Sequence, residues 1–131
     1  MLGALTFGGL TLFALNERRW RSAFYCIERP GELWGGEAGP LPAGFTPGCS
    51  PSNSLRADVR RGAVRAEQYT APGWRPRALE AALLGAGFAL LDEEFVSPNL
   101  YEAFFRRGGK KLYYLASRQN GYTAFTLNGA P

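Results

Sequence analysis

Lys110-Lys111-Leu112-Tyr113-Tyr114-Leu115-Ala116-Ser117 and Tyr122-Thr123-Ala124-Phe125-Thr126-Leu127, joined through Gln119-Asn120-Gly121, decide the fold class of this chain. Both runs are rich in the aromatic and β-branched residues that suit a pleated, half-buried surface. The Asn-Gly pair between them accepts the left-handed dihedrals of a tight hairpin turn. Residues 110–117 and 122–127 are therefore read as antiparallel strands.

Working back from that hairpin, Ser97-Pro98 reads as a helix start, with the serine oxygen capping free backbone donors and Pro98 presetting φ at the first helical position. Residues 99–107 then place Leu100, Ala103, Phe104 and Arg107 on one helical face, and Gly108 stops the helix. Residues 88–95 return to a strand with Phe88, Leu90 and Asp92 read on one side. A second short helix is expected over 77–85, where Leu79, Ala82, Leu83 and Ala86 recur at helical spacing behind Pro76 and the Pro72-Gly73 turn. Residues 55–69 mix β-leaning residues with arginines and are read as a strand ending at Tyr69-Thr70.

Residues 30–54 differ in character, because Pro30, Pro40, Pro42, Pro47 and Pro51 alternate with six glycines. Such punctuation forbids a long regular element, so a long loop or insertion is expected, held down by some of Leu33, Trp34, Leu41 and Phe45. Before it, residues 18–28 read as a strand with Trp20, Phe24 and Cys26 on one face. In residues 1–15, Gly8-Gly9 divides two short β-leaning runs, either as a hairpin or as one strand with a glycine bulge. The expected fold is α+β: a mostly antiparallel sheet of about six to seven strands with two short helices packed on one face and a long Gly/Pro-rich loop. The 131 residues suit a single domain, 1–131.

The uncharged opening, taken as a helix, spans only about 22 Å against roughly 30 Å of bilayer hydrocarbon. It has neither a basic leader nor a clean cleavage signal, so it is read as core and the protein as cytoplasmic and non-membrane. With that location Cys26 and Cys49 are expected as free thiols. The chain has no histidine, which removes the commonest general base near neutral pH and a principal metal ligand. Adjacent carboxylates in Asp92-Glu93-Glu94 point to opposite faces of a strand and lack separated partners for a metal. No catalytic residue, metal site or cofactor is assigned, and a non-enzymatic protein is expected.

Net charge is +4, and 13 of the 15 basic residues are arginine. Arginine suits phosphate, carboxylate and aromatic partners, although base composition or heat adaptation produces the same bias. Two contact surfaces follow. Trp34, Leu41 and Phe45 on the 30–54 loop, with Arg19, Arg21, Arg60, Arg61 and Arg65, are candidates for contact with another protein, the loop residues serving either as anchors or as pins onto their own sheet. Arg106, Arg107, Lys110 and Lys111, with Tyr113, Tyr114 and Tyr122, form a basic-aromatic candidate for single-stranded nucleic acid. Asp92-Glu93-Glu94 forms an opposite pole that suits an arginine cluster on a partner. The leading expectation is a protein-binding or regulatory factor acting on nucleic-acid machinery such as transcription, and the alternative is direct single-stranded nucleic-acid binding.

Overall fold

A computed structural model describes residue 14 and residues 17–130. Six strands form one antiparallel sheet: β1 (Thr46–Gly48), β2 (Arg65–Pro72), β3 (Ala89–Ser97), β4 (Leu100–Arg107), β5 (Lys110–Gln119) and β6 (Tyr122–Gly129). Their spatial order is β1-β2-β6-β5-β4-β3. The last four strands are a meander, and β2 closes onto β6 with Tyr69 opposite Phe125 and Glu67 opposite Leu127. Helices α1 (Asn53–Arg60) and α2 (Glu80–Gly85) accompany the sheet, and residues 17–21 are also helical. The α+β class and the one-sided packing expected from the sequence are thus observed.

Period-two alternation decides which side is buried. Tyr101, Ala103 and Phe105 of β4 lie opposite Ala116, Tyr114 and Leu112 of β5, and Tyr114 and Ala116 lie opposite Leu127 and Phe125 of β6. All of these are buried, and together they make the inner face. The Tyr114 ring sits at its centre, tilted to Phe105 at 5.8 Å and edge-to-face with Phe125 at 5.9 Å and Tyr101 at 6.1 Å. Burying each such ring stabilises the fold by about 2–3 kcal/mol. The Tyr114 hydroxyl donates to the Pro76 carbonyl at 2.6 Å and accepts from Leu79 N at 3.3 Å, which fixes the entry to α2.

Two elements cover this face. Leu79, just before α2, and Leu83 within it descend on one part, with Phe88 beside them, and Leu33, Trp34, Ala38, Leu41 and Phe45 cover the other. The 30–54 segment is therefore irregular yet held, as expected, and it contains a short 3-10 turn, Leu33–Gly36, and strand β1. Trp34 stands at φ 52°, a left-handed conformation costly for a side chain of this size. What holds it there is burial against the sheet, a bond from its backbone N–H to the Tyr69 hydroxyl at 3.1 Å, and the Arg65 guanidinium 4.1 Å over its ring. Gly129 leaves the space for that ring, since a Cβ there would stand 2.8 Å from Trp34 Cζ2.

Four expectations are corrected. Residues 99–107 are strand β4, not a helix, because Tyr101, Ala103 and Phe105 alternate inward and Pro98-Asn99 make a two-residue turn between paired Ser97 and Leu100. Residues 18–28 are not a strand: 17–21 are helical and 22–26 form turns. In place of a strand over 55–69, helix α1 runs to Arg60, its Leu55 N–H bonded to the Ser52 hydroxyl, and β2 starts only at Arg65. Cys26 and Cys49 are joined in a disulfide instead of being free thiols, with Cα atoms 5.8 Å apart. The bond sits in a second small cluster of Tyr25, Cys26 and Ile27 with Trp20 and Val59. The expected glycine hairpin over residues 5–13 lies outside the described residues.

Candidate nucleic-acid interface

The opposite, outer face of β4, β5 and β6 contributes nothing to either buried core cluster. Two directly opposed pairs near the β4–β5 turn define it. Arg106 faces Lys111, and one step along the strands Phe104 faces Tyr113. The Phe104 and Tyr113 rings lie with centroids 5.0 Å apart and Phe104 is 42% exposed. Arg106 Nε donates to the Gly108 carbonyl at 2.8 Å, which holds the guanidinium at the hairpin tip. An aromatic pair, its ring planes inclined at 41°, thus stands beside two cations on one accessible surface.

The rest of that face is acidic toward β3. The Tyr113 hydroxyl donates to Glu102 Oε2 at 2.9 Å, and burial followed by that bond to a carboxylate pushes the phenol up to about 12. It therefore remains a donor at any physiological pH. Asp92 lies opposite Phe104, and Glu94 lies opposite Glu102. The face is thus basic at the hairpin tip and acidic toward β3, and this charge pattern gives the surface a direction.

Register also separates the sequence candidates. Arg106, Lys111 and Tyr113 are brought together. Arg107 and Lys110 are turned to the other side, where Arg107 Nη2 and Lys110 Nζ reach Glu37 Oε1 at 3.1 and 3.0 Å. Tyr114 is in the core, and Tyr122 is exposed at the far end of β6, opposite Gln119. Tyr and Lys neighbours in a strand alternate between faces, which is why half of the contiguous cluster is lost. Phe104, assigned to a helix from the sequence, joins the surface in their place.

The candidates for protein contact are mostly engaged within the chain. Trp34 is buried, while Leu41 and Phe45 pack against the core, Phe45 with its ring 5.6 Å from Phe125. Arg19 and Arg60 lie over the Trp20 ring at 4.7 and 5.8 Å, and Arg61 pairs with Asp58. Arg65 binds Glu37 at 2.5 Å, and Arg21 is exposed. The two arginine-rich segments are neighbours in space, as Arg56 Nη1 donates to the Trp20 carbonyl at 2.6 Å, but they meet as helices around aromatic rings. A cleft of about 380 Å³ opens there between Arg19, Trp20, Val59, Val64 and Arg65.

One charged cluster escaped the sequence reading. Glu67 is buried beneath the 3-10 turn, accepts from the Tyr69 hydroxyl at 3.3 Å and lies 3.7 Å from Arg65. Burial, only partly offset by Arg65, pushes its carboxyl up to about 7. For Glu37 the balance reverses: burial is outweighed by bonds from Lys110 and Arg65, and its carboxyl is held below the ordinary range. Strict alternation along Arg65-Ala66-Glu67-Gln68-Tyr69 was the available signal, since it places Glu67 on the same face as Tyr69. Among the described residues no group of three or more Cys, Asp or Glu side chains is arranged to hold a metal ion. No described helix is long and apolar enough to cross a membrane. Comparisons with protein-family models, with curated proteins and with solved structures return no match.

Proposed function

We propose that this protein is a non-enzymatic binding module that takes single-stranded nucleic acid on the open face of its sheet, at the β4–β5 hairpin. The observation that carries the reading is the juxtaposition of the opposed Phe104–Tyr113 pair with the opposed Arg106–Lys111 pair. Single strands are held sequence-tolerantly by bases stacked on aromatic faces and phosphates met by nearby cations. A strand laid across β4 and β5 stacks a base on Phe104 or Tyr113 and directs its phosphate toward the hairpin tip. The acidic β3 side sets the polarity of the track by excluding phosphate.

The turning inward of Trp34, with Leu41 and Phe45 packed on the core, supports this reading over a protein contact through the 30–54 loop. A regulatory role on nucleic-acid machinery is compatible with the same surface. The test is a charge-matched comparison on the full chain, with Arg106→Gln/Lys111→Gln set against Arg21→Gln/Arg118→Gln and a fluorescein-labelled single-stranded DNA as probe. Loss of binding confined to the first variant supports the reading. Equal loss in both would reduce the effect to net charge and refute the site.

A further inference from the structure

The sheet ends at β3, and this strand has properties unlike those of a protected edge. Its second side carries no strand among the described residues, since the order terminates β4-β3. All of its residues except Leu90 are exposed. The pairing with β4 shifts register between Leu90 and Asp92 and again between Phe95 and Ser97. The two residues in those shifts, Leu91 and Val96, stand 54% and 53% exposed, with Phe95 at 47%. The Glu93 N–H bonds locally, to its neighbour Asp92 Oδ1 at 2.9 Å.

The charges on this edge say what it can receive. Asp92 and Glu94 share the outer face, and Glu94 lies directly opposite Glu102, a like-charge pair that destabilises an antiparallel ladder. A cation arriving from outside would relieve that pair. On the inner side Glu93 meets Arg77 at 3.6 Å and accepts from the Tyr101 hydroxyl at 2.7 Å. A second copy of the chain is a poor occupant, because antiparallel self-pairing centred on Glu93, which uses the full strand, sets Asp92-Glu93-Glu94 against the same three carboxylates. An extended segment with Lys or Arg at alternate positions places its cations beside Asp92 and Glu94, while flanking apolar residues cover Leu91, Phe95 and Val96.

From this geometry we infer that the β3 edge is a docking site for an extended basic segment of a partner protein, which adds as a seventh strand. Main-chain hydrogen bonds supply affinity in such strand addition, and alternate side chains supply specificity. The site adjoins the nucleic-acid surface, since Asp92 lies opposite Phe104, and the opposite signs of the two direct phosphate to the Arg106–Lys111 tip and a basic peptide to the β3 edge.

The experiment uses the full chain and two nine-residue labelled peptides, one alternating valine with lysine and one alternating valine with glutamate. Because the chain carries +4 overall, binding of the cationic peptide has to arise locally. Hydrogen exchange is expected to show new amide protection confined to β3 on addition of the lysine peptide and none with the glutamate peptide. Asp92→Asn/Glu94→Gln is expected to weaken binding by about fivefold, the yield of two exposed ion pairs. Since both positions are exposed, the fold of that variant is checked by circular dichroism and stays unchanged. Binding that ignores the two substitutions, or protection elsewhere, overturns the inference. So does β3 protection in the absence of peptide, whether in a dimer, where a second copy holds the edge, or in a monomer, where the chain covers it itself.

Discussion

Replacing Glu67 by Gln removes a carboxyl that the fold prefers to keep protonated. Its value rises from an ordinary 4.5 to about 7 on folding, which at about 1.4 kcal/mol per decade corresponds to roughly 3 kcal/mol. Between those two pH values the folded chain binds the proton and the unfolded chain has lost it, so stability falls as pH rises. The contribution is complete below about pH 4.5 and gone above about pH 7. Glutamine mimics the protonated form: it keeps a carbonyl oxygen for the Tyr69 hydroxyl, while Arg65 retains Glu37. Glu37 acts in the opposite sense, with stability present above its ordinary value and lost as pH falls, and it cancels in the comparison because both proteins contain it. Urea unfolding followed by tryptophan fluorescence from about pH 4 to 8 should show the two proteins equal at the acid end. Glu67→Gln should then pull ahead by up to roughly 3 kcal/mol at the alkaline end. A difference independent of pH, or one in which the wild type gains with rising pH, refutes the reasoning.

Reducing the Cys26–Cys49 bond, which spans 23 positions, should cost roughly 3 kcal/mol by releasing loop-closure entropy to the unfolded chain. Urea midpoints with and without reductant measure it, and equal midpoints contradict a clamping role. Gly129→Val should cost about 1–3 kcal/mol, since its Cβ meets the Trp34 ring at 2.8 Å and the Lys111 carbonyl at 3.3 Å. Thermal melting with tryptophan emission reports the loss, and unaltered stability would deny the close packing. Tyr69, Tyr101 and Tyr114 all have hydroxyls pushed well above the ordinary 10.0, burial being the main cause. They contribute stability below that pH that disappears as it rises, so their ultraviolet titration should coincide with alkaline unfolding; ionisation in the folded chain contradicts their placement.

The hairpin around Asn120-Gly121 was legible because turn chemistry and strand propensity agree there; the observed turn has Gly121 at φ 84°. Residues 99–107 failed for the opposite reason. Leu100, Ala103, Phe104 and Arg107 fit a helical period while Tyr101, Ala103 and Phe105 fit a strand period, and Ser-Pro-Asn serves a turn as readily as a helix cap. Packing against β5 settles the choice, and no local signal contains it. For α1 the signals were present, a Ser52 cap and Gly62 at φ 72° just beyond the end, but arginine density hid the spacing of Leu55 and Val59. The same face logic governs the candidate surface. A contiguous basic run looked like one patch, yet strand alternation keeps Arg106 and Lys111 on the outer face and gives Arg107 and Lys110 to Glu37.

The central claim is that the outer face of β4 and β5 holds a single strand through two stacking rings and two cations. A fluorescence-anisotropy titration of labelled oligothymidine, repeated at about 50 and 200 mM salt, tests it most directly. Two phosphate contacts on a single strand predict a logarithmic slope of about −1.4, or roughly sevenfold weaker binding over that range. Phe104→Ala/Tyr113→Ala should forfeit about 1 kcal/mol or more for each stacked base. Binding that is absent at low salt, or that persists undiminished without the two rings, would contradict the account.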